Sequence, residues 1–306
     1  MSHAIADKPK SQIVPLPWLT ILLDVSVTLL IPNSLLYWNL VYSKPRSLPG
    51  FFCNDFSIRL PHREDTVSMS LLAYYEYFAP VFVILPVELF NMQRRRNEVY
   101  FKFESSRSSI YRLFIRFCGF YRYAYLSYSI QLVVFIFSRH LVGRMRPNYL
   151  DLCKPSVGYR ECETLEFITN YTCENGKTLE LMASQRQSFF SGHASIAAAT
   201  STYLIFYLQH RLKPHITAFS LVPWLQMVFV FIAMWMSFTR VSDNAHHMSD
   251  VLFGLFVGIA SVVIVWKYVM VWGSKSSSNV YSNLKRLFHF LVTLCDRNSA
   301  FYCLVS

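Results

Sequence analysis

Long apolar runs alternate with short basic connections along this chain, and that alternation restricts what it can fold into. A helix needs about 20 apolar residues to cross a bilayer core, at a rise of 1.5 Å per residue. Inside lipid, every backbone polar group must be satisfied within the segment, which a helix does and an open strand does not. Runs of suitable length occupy Trp18–Leu40, Val67–Phe90, Cys118–Phe137, Ala194–Tyr207, Ile216–Phe238 and Val251–Trp272. The fourth reaches membrane length if its helix begins near Gly192 and continues to His210. Its small residues, including Ala194, Ala197, Ala198 and Ser201, suit close helix packing. Only 15% of residues are charged and 53% are hydrophobic, against roughly 25% charged in a soluble domain. The reading is an all-α integral membrane protein with a six-helix bundle at 18–272, a short N-terminus at 1–17 and a tail at 273–306.

The formal net charge is +11. Its distribution argues against nucleic-acid binding, because the basic residues sit between apolar runs and form no stripe on a soluble domain. Clusters at 93–97 and 209–215 suit the positive-inside tendency, so both termini are expected in the cytoplasm. The loops at 41–66, 138–193 and 239–250 then face the opposite, extracellular or lumenal side. The first apolar run is too long for a cleaved signal peptide and reads as a retained anchor. The Asn170-Tyr171-Thr172 sequon falls in a loop assigned to the outer side, which makes Asn170 a glycosylation candidate. Cys162 and Cys173 lie in the same loop and could form a disulfide; Cys153 is a third candidate, so composition leaves the pairing open.

Three polar groups converge on that side. Arg139, Arg144 and Arg146 follow the third run; Ser191, Gly192 and His193 open the fourth; Arg240, His246 and Asp250 join the fifth to the sixth. Ionisable residues at membrane edges are costly, which gives such a set functional weight. Guanidinium forks hold phosphoryl oxygens and stabilise transition-state charge. Ser191 and the amides near Gly192 add donors at a helix N-terminus. His246 and Asp250 are four apart, so on one helix the carboxylate would orient the imidazole for nucleophilic attack. His193 is then the proton donor to the leaving oxygen. A metal could nominally take His193, His246, His247 and Asp250, but the dense arginines oppose a bound divalent ion and no H-E-x-x-H or paired-Cys motif is present.

These residues resemble the signature of the type 2 phosphatidic acid phosphatase (PAP2) superfamily, in its animal lipid phosphate phosphatase branch. Its motifs K-x6-R-P, P-S-G-H and S-R-x5-H-x3-D are similar to RHLVGRMRP at 139–147, FSGH at 190–193 and TRVSDNAHHMSD at 239–250. The run GFFCNDFSIRLPHREDT at 50–66 is similar to the branch's first outer loop. Arg139 stands where the family has Lys, Phe190 where it has Pro, and Thr239 where it has Ser. The resemblance implies a PAP2/haloperoxidase-like bundle and a phosphohistidine mechanism. It gives His246 as nucleophile, Asp250 as its orienting partner and His193 as general acid and base. Arg139, Arg146, Ser191, Gly192 and Arg240 are implied to grip phosphate. Neither a metal nor a cofactor is implied. The implied substrates are phosphatidate, lysophosphatidate, sphingosine 1-phosphate and ceramide 1-phosphate. Membrane lipids are the expected surroundings, a homo-oligomer is allowed for, and the plasma membrane is the expected site, with Golgi or endoplasmic reticulum as alternatives. The rival expectation is a non-catalytic lipid-binding or scaffold protein of the same membrane class.

Overall fold

The computed structural model describes residues 50–94, 108–157, 166–174, 182 and 185–271, with scattered helical positions between 22 and 37. The N-terminus, most of the first apolar run, Cys162 and the tail at 273–306 lie outside the described residues. The chain divides into two compact units, Met1–Val262 and Val263–Ser306. In the second unit, the described residues carry the last turn of a helix and a π-helical stretch, Trp266–Val271.

Five long helices dominate the first unit and run into its end: α1 (Met69–Arg94), α2 (Ser109–Val142), α4 (Gly192–Arg211), α5 (Leu221–Ser242) and α6 (Met248–Val265). The five-residue α3 (Tyr149–Cys153) lies in the connection after α2. From Val67 onward each apolar run falls largely within a helix, although Val67 and residues 216–220 precede theirs, and the helices gain turns at ends the runs did not include. The extra turns come from polar residues, which a helix accepts as readily as apolar ones once its ends reach water. Pro80 and Pro86 sit within α1 without ending it, as membrane helices allow.

Three of these helices are long and apolar enough to cross a membrane on their own: Met69–Arg94, Leu221–Ser242 and Met248–Val269. That makes the chain a membrane-associated helical protein. The six-span expectation is therefore met only in part among the described residues. The two remaining long helices have the length but spend it on polar packing. In α2, Ser127 and Gln131 are buried, and the Gln131 amide donates to the Ser195 hydroxyl of α4. In α4, Ser195, Thr200 and Ser201 are buried among Ala194, Ala197, Ala198 and Ala199. Hydropathy read along the chain is lowered by residues that never meet lipid.

Small residues also set how α6 packs on α4. A Cβ at Gly254 would lie 2.6 Å from the Ser191 carbonyl oxygen, and one at Gly258 would lie 2.2 Å from that of Ser195. The GxxxG spacing puts both glycines on one face, so the two backbones touch at the start of α4. Val67, Leu72, Ala197 and Met236 form an apolar cluster joining α1, α4 and α5 just below the polar end.

The polar connections fold over that end as a small layer. β1 (Phe51–Phe52) pairs antiparallel with β2 (Phe167–Ile168), with Phe51 opposite Ile168. Phe51, Ile58, Tyr149, Leu150, Tyr171 and Met182 make its core. A disulfide joins Cys153 to Cys173. This corrects the Cys162–Cys173 pairing: α3 ends at Cys153 and an adjacent bridge pairs Pro155 with Cys173, which brings these two cysteines together. Cys53 is disulfide-bonded as well. Asn170 lies exposed just beyond β2.

Candidate active site

Three segments meet at the polar end, and hydrogen bonds between backbones hold them in register. The Arg146 amide donates to the Gln185 carbonyl (2.9 Å) and the Ser188 amide to that of Arg144 (3.0 Å). The Ser191 amide donates to the Asp250 carbonyl at 3.1 Å. Between α5 and α6 the chain turns through Asn244 in the left-handed region (φ 56°). The Arg240 carbonyl accepts the amides of both Ala245 and His246. These ties bring Arg139, Arg146, Ser191, Gly192, His193, Arg240, His246 and Asp250 to one region from three separate stretches of sequence.

Ser191 is the N-cap of α4 and its hydroxyl accepts from the Ala194 amide at 3.4 Å. Gly192 is required by sterics as much as by chemistry, because a Cβ there would stand 2.9 Å from the Phe135 ring. Phe190 fills the space beneath. It is fully buried and meets Phe135 edge-on with ring centres 5.6 Å apart, and Phe253 at 5.7 Å. An aromatic at this position thus anchors the start of α4 by packing, where the family signature has proline. Arg139 lies over the Phe135 ring, with its guanidinium carbon 5.0 Å from the ring centre.

His246 is buried, and its Nδ1 lies 2.7 Å from the Ser188 carbonyl oxygen. A carbonyl can only accept, so Nδ1 carries the proton and Nε2 keeps its lone pair. Burial and the nearby Arg146 cation push His246 well below the ordinary histidine range, against the smaller opposite pull of the Ser188 carbonyl and Asp250. The ring is neutral at neutral pH. His193 places Nε2 3.1 Å from the Val67 carbonyl, which ties it to the first polar loop.

Asp250 departs from the spacing argument. Residue 246 precedes α6, so the two residues do not share a helical face. Among the described residues, no hydrogen bond joins Asp250 to His246. The carboxylate accepts instead from the Ser188 hydroxyl (2.6 Å), the Arg144 guanidinium (2.5 Å), and the His247 amide (3.1 Å) and Nδ1 (3.2 Å). Its hold on His246 passes through Ser188, whose hydroxyl donates to it and whose carbonyl accepts a hydrogen bond from the imidazole Nδ1–H.

Arg240 is almost fully buried. Its Nη1 lies 2.9 Å from an Asp65 oxygen and its Nη2 2.6 Å from Asp243. Arg146 lies close enough to Asp65, Arg240, Asp250 and His246 to exchange electrostatic influence with each. Burial is the main reason its guanidinium is lowered from its ordinary value, and Arg240 adds to the effect. Several donors here remain open. The Nε atoms of Arg139, Arg146, Arg186 and Arg240, and Nε2 of His247, are buried with no hydrogen-bond partner among the described residues. Buried donors are rarely left so. Among the described residues, no group of three His, Cys, Asp or Glu side chains has metal-holding geometry.

Ser188, Arg186, Asp65 and Asp243 were not singled out by the sequence, and His247 was weighed only as a nominal metal ligand. Ser188 opens the SFFSGHAS stretch, but its two roles, one by hydroxyl and one by carbonyl, exist only after 144 and 188 have paired.

A helical membrane protein with a cationic, histidine-bearing pocket at one end of its bundle is the class these features define. The PAP2 superfamily matches residues 121–273. The chain is 34% identical over 68% of its length to "Phospholipid phosphatase homolog 1.2 homolog" of Caenorhabditis elegans, of which it spans 61%. It is 31% identical to "Phospholipid phosphatase 1" of Rattus norvegicus over 75% of this chain and 78% of the relative. Against "Phospholipid phosphatase 2" of Bos taurus it is 29% identical over 82% of this chain and 83% of that one. The chain belongs to the PAP2 superfamily and is related to animal phospholipid-phosphatase-like proteins. No solved structure matches it.

Proposed function

We propose that this protein is a membrane phosphohydrolase that removes the phosphate from lipid phosphate monoesters. One observation carries the reading. Buried guanidinium Nε atoms without partners among the described residues, Arg146 beside His246 among them, accompany a neutral His246 whose Nδ1–H donates to the Ser188 carbonyl. Unpaired buried donors suit a tetrahedral anion, and the free Nε2 suits a nucleophile.

In this mechanism His246 Nε2 attacks phosphorus and the ester P–O bond breaks. His193, whose Nε2 donates to the Val67 carbonyl, takes a proton on Nδ1 from the bound phosphate monoanion and passes it to the departing alkoxide, which leaves as the lipid alcohol. The imidazolium of the phosphohistidine is stabilised by the Ser188 carbonyl, with Asp250 behind it. Water then attacks phosphorus, His193 takes its proton, and inorganic phosphate leaves with His246 restored. Arg139, Arg146, Arg240, Ser191 and the Gly192 amide hold the phosphoryl oxygens. The reaction balances without a metal or cofactor.

Phosphatidate, lysophosphatidate, sphingosine 1-phosphate and ceramide 1-phosphate are the proposed substrates. They would reach the pocket laterally from the leaflet, their chains remaining in lipid. The architecture in this reading is a six-helix bundle with cytoplasmic termini, an extracellular or lumenal site, and a glycan on the exposed Asn170. The test is phosphate release from lysophosphatidate in detergent micelles, with and without EDTA, by wild type and His246→Ala. Release by the wild type that survives chelator and vanishes in the variant is expected. Wild-type protein inert across a panel of lipid phosphates would instead favour the non-catalytic lipid-binding reading.

A further inference from the structure

Three carboxylates reach the pocket, and they are not held alike. Asp250 accepts four hydrogen bonds and is fully buried. Asp243 is also buried and accepts from the Thr66 amide (2.9 Å), the Thr66 hydroxyl (2.7 Å) and Arg240. Both are spent on the protein's own frame. Asp65 is different. Its side chain is 50% exposed, and among the described residues its one hydrogen bond runs from Arg240 Nη1 at 2.9 Å. Its negative charge is nonetheless felt by Arg146. It therefore occupies, from the solvent side, a position on the guanidinium fork that a phosphoryl oxygen would need. The opposite side of the fork is fixed by Asp243, so Arg240 keeps its aim whether or not Asp65 is in contact.

We propose that Asp65 is an exchangeable counter-anion for Arg240. Its carboxylate holds the guanidinium in the phosphate-free pocket and yields that position when a phosphate group arrives. The inference rests on the phosphohydrolase reading and adds a residue to it. A buried guanidinium bears a large desolvation cost; Asp243 offsets part of it permanently, and Asp65 satisfies the second Nη between turnovers. The same competition weakens phosphate binding. Asp65 therefore sets the affinity for the anion and helps to expel inorganic phosphate after hydrolysis. Its backbone neighbour Thr66, tied to Asp243, keeps the loop docked while the Asp65 side chain exchanges.

Isothermal titration of inorganic phosphate into the full-length protein in detergent tests this. Asp65→Asn keeps the shape and removes the competing charge; Asp65→Ser removes the group as well. Both should bind phosphate about tenfold tighter or more, the weight of one charge-assisted hydrogen bond. KM for lysophosphatidate and the inhibition constant of phosphate should fall together. Asp243→Asn should not tighten binding, since that carboxylate is structural. A gain in affinity is a result that damage to the fold does not produce. Unchanged or weaker phosphate binding in both Asp65 variants, with wild-type turnover intact, would overturn this inference and leave the phosphohydrolase reading standing. Loss of folding in both would also overturn it, by making Asp65 a structural tether. Wild-type protein that neither binds phosphate nor hydrolyses lipid phosphates would remove both.

Discussion

Two buried polar clusters lie near opposite ends of α1, and they differ in how completely they are closed. One is the pocket beside Val67 and His193. The other centres on Glu88, roughly 28 Å further along the helix at 1.5 Å per residue. Glu88 is fully buried, and its two oxygens accept Arg211 Nε and Nη2, both at 2.7 Å, and the Tyr207 hydroxyl at 2.9 Å. Arg116 approaches to 3.5 Å, and Arg211 also lies over the Phe120 ring, 5.0 Å from its centre. The Arg211 carbonyl in turn accepts from the Asn91 amide at 3.2 Å. Each charge there meets an opposite charge, and the cluster joins α1, α2 and α4. At the pocket, cationic donors outnumber the acceptors that could engage them. Burial alone thus says little about function. A closed ion network is a rivet between helices, whereas an open set of donors is a receptor for an anion.

The sharpest way to break this contrast is to remove the nucleophile. His246→Ala should cut lipid phosphate turnover on the order of 10⁴-fold or more, in the range seen when a catalytic nucleophile is lost. Its melting temperature should barely move. Comparable loss of turnover and of folding would place His246 with the rivets. Glu88→Ala should do the reverse, removing the buried carboxylate that Arg116 and Arg211 share. A cost of about 3–5 kcal/mol is expected for breaking such a pair, read as a lowered melting temperature in detergent. Phosphate affinity of the fraction that remains folded should stay near wild type, and a selective loss of phosphate binding would contradict the assignment.

Removing one phosphate-facing donor tests the pocket more gently. Arg146→Ala should lower kcat/KM by about 10²–10³-fold, the usual range for a transition-state donor, and Arg146→Lys should recover part of it. If the lysine variant is as poor as alanine, the bidentate fork is essential; if alanine is active, the donor reading fails. The smallest effect is on pH. His246 is held below its ordinary value, so its neutral form persists under mildly acidic conditions. The acid limb assigned to this histidine should lie below about 6.5, in a kcat/KM profile compared with phosphohistidine trapping. Stability follows the same sign. As pH falls below about 6.5, the unfolded chain binds a proton that folded His246 resists, so the fold loses stability in that window and not above it. An acid limb above 6.5 that tracks phosphohistidine formation would refute the assignment.

The helices were legible because their apolar periodicity and length are local properties. Every run from Val67 onward has a helix over most of its length, with starts displaced by up to five residues. The basic stretches were less transparent. Arg116 and Arg211 read as interfacial anchors beside their neighbours, yet both are buried on Glu88. A glutamate near the end of an apolar run carries no sign of its distant partners. The disulfide was similarly undecided, since three cysteines in one stretch of loop allow several pairings and only the packing of α3 beside residue 173 selects Cys153.

Residue type and spacing determined which groups the site would contain, because arginine, histidine and aspartate are costly at a membrane edge and betray themselves there. Tertiary structure decided whom each one serves. Spacing of four gave Asp250 to His246, but a helix that begins two residues later hands its carboxylate to Ser188, Arg144 and His247. Arg240 was recognisable as a phosphate-binding candidate, whereas its pairing with Asp65 depends on the first polar loop crossing the turn between α5 and α6. Hydrogen bonds between side chains far apart in sequence are set by how the segments pack, and no local pattern encodes them.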